Sequence, residues 1–410
     1  MTHFVVTPAM IYVKGSLTVA HRATHQYPTP AGLCSDLPTL LGVPHELGAH
    51  LESTIIIPAD PTHGGGRQAV RTVIEGAGWK TAPTDGGWFT CRRGKAMIHL
   101  GVFEWLKDVD PLVRAACLPG FTNPTPWALA QTLDTWARAT GAYYRHTPGV
   151  AAIAAIRQSG KWNTFGPKEF RTEPRWVLQD RSILDYWAAP AQLTDLRAGA
   201  ITKKPTHAYH RWDTRAAYLA AASAVELPYR QLVQDAQGGP VGYYRVNMLG
   251  CDGDRLLLPA KADRQGTRWL GSSTLDLWRK RAVLEIVEAH TSTDRKTGRI
   301  LRPWAEKWRD AMATHPDLRP VLKAGYAQAL GGLLAVKSGT IYRPDWRHLI
   351  MDELRAQVTR RILRVWDLHH TWPSKVDVDS VYYDTDTPNA IGETLGVGER
   401  IGNMRYEGTV

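Results

Sequence analysis

Asp384 and Asp386 stand two residues apart near the end of this 410-residue sequence, in the run Val376-Asp377-Val378-Asp379-Ser380-Val381-Tyr382-Tyr383-Asp384-Thr385-Asp386-Thr387-Pro388. On an extended chain such residues point to the same side, and two carboxylates so placed repel each other unless a cation is present. The pair reads as a Mg²⁺ site; the alternative reading is a solvated turn. A third acid, Asp213, ends the strand-like run His207-Ala208-Tyr209-His210-Arg211-Trp212-Asp213 and precedes Thr214-Arg215-Ala216-Ala217-Tyr218-Leu219 and an alanine-rich helix. At a strand end it is open to a metal, and the amides after it can meet an anion at the helix N-terminus. Taken alone, Asp213 also suits a helix N-cap.

Between these acids lies a cationic stripe. Pro316 to Leu318 begin a helix that carries Arg319, Lys323, Tyr326, Ala327 and Leu330 at spacings of three and four, with Gly331-Gly332 near its end. Such a stripe can neutralise phosphates, or it can be a solvated face with snorkelling cations.

The elements that must hold these side chains follow from periodicity. Val376 to Tyr383 alternates at a period of two, which predicts a strand that Thr387-Pro388 stops, so the acid pair sits at a strand tip. Gly242 to Val246, Arg268 to Leu270 and Val283 to Val287 add sheet segments, with a short helix from Leu275. A helix bearing Trp304, Lys307, Trp308 and Arg309 leads into the cationic one. A long helix from Arg343-Pro344-Asp345-Trp346 buries Leu349, Ile350, Leu354, Val358, Ile362 and Val365, with Arg355, Arg360, Arg361 and Arg364 outside that side.

Upstream, Ser53 to Pro58, Gly86 to Cys91 and Lys95 to Val102 read as three strands of a meander. A helix follows from Thr125-Pro126-Trp127 through Leu129, Leu133, Trp136 and Ala137, then a strand at Ala142 to Arg145 and a helix from Val150 to Arg157. Gly64-Gly65-Gly66-Arg67 matches no phosphate-loop spacing and reads as a loop. Lys161 to Arg175, with Trp162, Phe165, Lys168, Phe170 and Arg171, suits either a nucleic-acid track or a linker.

The chain carries 50 Lys+Arg against 39 Asp+Glu, a net charge of +11, which favours a polyanionic partner. Cys34, Cys91, Cys117 and Cys251 form no Cys-x-x-Cys pair, which argues against a zinc ribbon or a disulfide framework. No apolar run reaches the roughly 18 residues of a membrane span, and Met1-Thr2-His3-Phe4 does not open a signal peptide. A cytoplasmic protein is expected.

The order carboxylate, cationic helix, paired carboxylates resembles the three motifs of family B DNA polymerases, of the small protein-primed type of phages and linear plasmids. Asp213 and Tyr218 match motif A, whose Ser-Leu-Tyr-Pro is otherwise replaced. Lys323 and Gly331 keep the register of motif B, Lys-x3-Asn-Ser-x-Tyr-Gly, while Ala327, Gln328 and Leu330 depart from it. Tyr382 to Thr387 matches motif C, Tyr-x-Asp-Thr-Asp-Ser, with Thr for the final Ser.

The resemblance implies an α+β chain. Residues 1–160 would form an RNase H-like, exonuclease-like domain without proofreading, because such an exonuclease needs an Asp-x-Glu on its first strand to hold two metals and the candidate strand supplies only Asp60 after Pro58 and Ala59. A connecting segment at 161–204 would follow, then a palm with an antiparallel sheet at 205–299 and 341–410. Helical fingers would be inserted at 300–340. Ile401 to Glu407 resembles the passage from palm to thumb, with no thumb after it. Asp213 and Asp386 would hold two Mg²⁺ or Mn²⁺ ions, supported by Asp384. Arg319 and Lys323 would neutralise the triphosphate, and Tyr218 would lie under the sugar. Lys161, Lys168, Arg171 and Tyr382 would meet nucleic acid. The implied partners are DNA primer-template, dNTP and a terminal or priming protein, with no membrane. Two other readings stand beside an active polymerase: a polymerase-derived module that binds DNA ends or a terminal protein, and a metal nuclease.

Overall fold

The computed structural model describes residues 2–6, 11–15, 52–57, 71–72, 75–76, 78–83, 88–94, 96–102, 132, 135–142, 144, 147–159, 207–229, 232–234, 238–251, 267–292, 297–335 and 343–409. The chain divides into two compact units, Met1–Ser159 with Asp310–Ala329, and Gly160–Arg309 with Leu330–Val410.

The first unit holds a mixed six-stranded sheet in the order β2-β1-β3-β6-β5-β4. β1 (Thr2–Val6) pairs antiparallel with β2 (Ile11–Gly15) and parallel with β3 (Glu52–Ile57). β3 is in turn parallel to β6 (Ala96–Val102), and β4 (Lys80–Pro83), β5 (Trp88–Arg93) and β6 form an antiparallel ladder. The expected three-strand meander is therefore wrong at its first member. Ile55-Ile56-Ile57 is a continuous apolar run, which suits a central strand flanked by parallel neighbours. The strand expected at Ala142 to Arg145 does not form at its described residues; instead Tyr144 packs edge-on against Trp136, with ring centroids 5.3 Å apart. Helix α1 (Pro148–Ser159) forms where alanine-rich periodicity predicts it.

The second unit opens with β7 (Tyr209–Thr214) and α2 (Ala217–Ala224). Next come β8 (Leu227–Pro228), β9 (Leu232–Gln234), β10 (Gly242–Cys251), β11 (Arg268–Gly271), α3 (Ser272–Trp278), β12 (Ala282–Ser292) and β13 (Thr297–Gly298). α4 (Arg302–Thr314) and α5 (Arg319–Ala335) flank a 3₁₀ turn and are shared between the units. α6 (Pro344–His369), β14 (Lys375–Asp377), β15 (Ser380–Asp384), α7 (Pro388–Leu395) and β16 (Met404–Thr409) complete the chain. One antiparallel sheet runs β11-β10-β12-β9, and another runs β14-β15-β7-β16.

α6 is the spine of this unit and packs against α2, α3 and α7. Its predicted apolar positions are buried, but so are Asp352 and Arg355, which corrects the placing of Arg355 outside. Asp352 caps α3: its carboxylate accepts the Gly271 and Thr274 amides at 3.2 and 3.1 Å and the Thr274 hydroxyl at 2.5 Å. Gly271 has no room for a side chain there, since a Cβ would lie 2.4 Å from the Asp352 Cγ. At the start of α6 the buried Arg343 bonds both oxygens of buried Asp345, at 2.9 and 2.6 Å, and the carbonyls of Pro228 and Tyr229. These contacts fix the helix against β8, as charge-assisted bidentate pairs do.

Candidate metal-binding carboxylate cluster

Strict alternation of burial along β7 turns His210, Trp212 and Thr214 inward and Tyr209, Arg211 and Asp213 toward the open face. Trp212 anchors the inner side, edge-on to Tyr383 at 6.0 Å and close over Gly392 of α7, where a Cβ would come within 3.1 Å of its ring nitrogen.

The register between β15 and β7 decides which acids meet. Ser380 lies opposite Asp213, Tyr382 opposite Arg211, and Asp384 opposite Tyr209. Asp213 and Asp384 therefore occupy opposite ends of the pairing, about 13 Å apart at the usual strand rise. The expected meeting of Asp213 with Asp384 and Asp386 does not occur. Asp384 accepts the His207 amide at 2.8 Å, while the Thr385 amide bonds the Ala208 carbonyl at 3.2 Å, so these residues tie the two strands together. Asp386 is exposed beside the start of α7.

The acids beside Asp213 are instead Asp377, the last residue of β14 and opposite Ser380, and Asp379, in the tight turn between β14 and β15. The Thr214 amide and hydroxyl both bond the Asp379 carbonyl, at 3.2 and 3.1 Å. Ser380 Oγ donates to Asp213 Oδ1 at 2.7 Å. Val378, at the head of the turn, has φ of 55°. A left-handed conformation at a β-branched residue costs on the order of 1–3 kcal/mol and persists only where its surroundings over-determine it. A sequence signal for this turn existed: Asp377-Val378-Asp379-Ser380 has the Asp-x-Asp-Ser form and keeps the final serine that Asp384-Thr385-Asp386-Thr387 lacks.

Two of these carboxylates, Asp213 and Asp377, face cations. Arg405 Nη2 is 3.8 Å from Asp213 Oδ2 and also pairs with Glu407, and Lys375 Nζ is 3.6 Å from Asp377 Oδ2. Tyr382 lies between Arg211 and Lys375, whose charged groups are 5.7 and 5.2 Å from its ring centre, and Arg211 donates to Ser380 Oγ at 3.2 Å. Among the described residues no group of three His, Cys, Asp or Glu side chains closes on one point. Asp213 is engaged with Ser380 and Arg405, and Asp377 with Lys375. The donor set, carboxylate oxygens alone, fits a hard ion such as Mg²⁺ or Mn²⁺ in kind, and a divalent ion would replace the side-chain cations.

Tyr218, half-buried on α2, has its phenol pushed up first by burial and then by the charge of Asp379, with Arg347 and Arg355 opposing. It is thus close to the turn. Arg319 and Lys323 belong to the other unit, where both are exposed and Arg319 donates to the Met312 carbonyl at 2.8 Å. Tyr326 and Leu330, expected on the same stripe, are buried. Lys161, Lys168, Arg171 and Asp60 lie outside the described residues, as does the Gly64 to Arg67 loop. No described helix is long and apolar enough to cross a membrane.

No protein-family model and no curated protein matches the chain. Among solved structures it is similar to Phi29 DNA polymerase complexed with primer-template DNA, at 13% identity and a TM-score of 0.46, over 87% of this chain and 76% of that one. The same polymerase with primer-template DNA and incoming nucleotide substrates gives 12% and 0.47 over the same shares, and with single-stranded DNA 13% and 0.46 over 87% and 75%.

Proposed function

We propose that the chain is a metal-dependent nucleotidyltransferase that adds nucleotides to a primer hydroxyl on a DNA template. The observation that supports it is the register placing Asp213 beside the Asp377-Val378-Asp379 turn, from segments more than 160 residues apart. Asp213, Asp377 and Asp379 would hold Mg²⁺ or Mn²⁺. What a pair of such ions supplies in phosphoryl transfer is activation of the attacking hydroxyl and neutralisation of charge on the phosphates.

The chain's own residues do the rest. Ser380 orients Asp213 by its hydrogen bond. Arg211, Lys375 and Tyr382 offer a cationic and aromatic strip to a nucleic-acid strand, where backbone phosphates meet the cations and a base can stack. Arg405, released from Asp213, becomes available to a phosphate. Tyr218 would contact the sugar of the incoming nucleotide and exclude a 2′-hydroxyl.

A primer-extension gel with labelled dNTP and Mg²⁺ tests this reading. Extension by the wild type, abolished in Asp213→Ala and Asp379→Ala and kept in Asp386→Ala, is the expected result. Binding without extension points to a DNA-end module, and degradation of the primer to a nuclease; either outcome overturns it.

A further inference from the structure

We propose that Arg361 is a positioning residue for the carboxylates: acting through the Thr214 hydroxyl, it locks the Asp379 carbonyl and so holds the Asp377-Val378-Asp379 turn beside Asp213. The inference rests on the reading of those three acids as metal ligands.

Arg361 reaches from α6 to the inner side of the sheet. Its Nη1 donates to Thr214 Oγ1 at 3.2 Å and faces Met404 Sδ at 3.4 Å, and its Nη2 donates to the Gly402 carbonyl. A guanidinium accepts no hydrogen bond, so the direction of this contact is fixed. The Thr214 hydroxyl accepts from Arg361, and its single proton is left for the Asp379 carbonyl at 3.1 Å, a better acceptor than Met404 Sδ at 3.2 Å. That carbonyl also takes the Thr214 amide. Successive bonds of one sense polarise each other.

The head group thus joins α6 to the end of β7, the chain entering β16 and, through Thr214, the β14–β15 turn. It sits there against burial and against Arg360 and Arg364, all of which pull its pKa down from the usual range. The turn it grips has a β-branched residue in the left-handed region, a conformation that needs outside support. Asp213 precedes Thr214 and Asp379 supplies the carbonyl, so the same bonds set the spacing of two acids.

The test is a Mn²⁺ titration followed by electron paramagnetic resonance on the full chain. Thr214→Val and Arg361→Met should each weaken Mn²⁺ binding by about tenfold or more, as loss of groups behind metal ligands does. Thr214→Ser should retain it. Val378→Asn, added to either weakened variant, should restore most of the affinity, because asparagine adopts the left-handed turn without outside support. Unchanged affinity in Thr214→Val and Arg361→Met overturns the proposal, and so does a loss that Val378→Asn leaves in full. Should Arg361→Met fail to fold, the Thr214→Val pair decides alone. A wild type whose Mn²⁺ binding is indifferent to Asp379→Asn would instead overturn the ligand assignment itself.

Discussion

Replacing Asp352 by Asn separates two opposing pH effects built into α6. Complete burial pushes the Asp352 carboxyl up to about 6, although its bonds from Thr274 and the nearby Arg355 pull the other way. A carboxyl whose folded pKa exceeds its unfolded value binds more protons folded than unfolded. Its neutral form therefore favours the fold, and stability falls as pH rises from about 4 to about 6. From 3.8 to about 6 the shift corresponds to about 3 kcal/mol. His348, four residues earlier, acts in the opposite sense. Burial and two neighbouring arginines push it down to about 3, so its contribution is lost as pH falls below its ordinary value of 6.5. The raw pH profile mixes the two groups, whereas the difference between wild type and Asp352→Asn retains only Asp352. Urea unfolding followed by tryptophan fluorescence from about pH 4 to about pH 7 should show the wild type losing about 2–3 kcal/mol relative to the variant. A flat difference, or a wild type that gains on the variant as pH rises, would refute the reasoning and show that the α3 amides and Arg355 fully compensate the charge.

Asp345→Ala should cost about 3–5 kcal/mol in urea unfolding, because it leaves the Arg343 guanidinium buried without its carboxylate. Gly271→Ala drives a methyl into the Asp352 carboxyl and should cost about 1–3 kcal/mol. Combining it with Asp352→Ala should give a measurable coupling energy. Asp384→Asn should lower the unfolding midpoint slightly, through the weakened His207 contact, and leave Mn²⁺ affinity at the wild-type value.

Most of the elements of the second half of the chain were legible in the sequence, since β7, β15, α4, α5 and α6 all announce themselves by period and by prolines near helix starts. The turn was not. Val376-Asp377-Val378-Asp379 alternates straight through it, and Val378 is a residue type that turn chemistry avoids at a left-handed position. Periodicity does not mark the end of β14, and only the Asp-x-Asp-Ser form of residues 377–380 does, so a strand read through to Asp384 sets the wrong acid pair beside Asp213. Only the pairing with β7, a long-range fact, places Ser380 rather than Asp384 against Asp213. Arg355 was misplaced for a related reason. α6 is buried on nearly every side at its centre, so an apolar stripe understates what it covers. Where the sequence breaks a local rule while the fold retains the position, function is the usual cause.

The most direct test is Mn²⁺ binding by the full chain, compared among wild type, Asp213→Asn, Asp379→Asn and Asp384→Asn. Binding that collapses in the first two variants and survives in the third is the predicted result. Binding that survives in Asp379→Asn and collapses in Asp384→Asn would contradict the account.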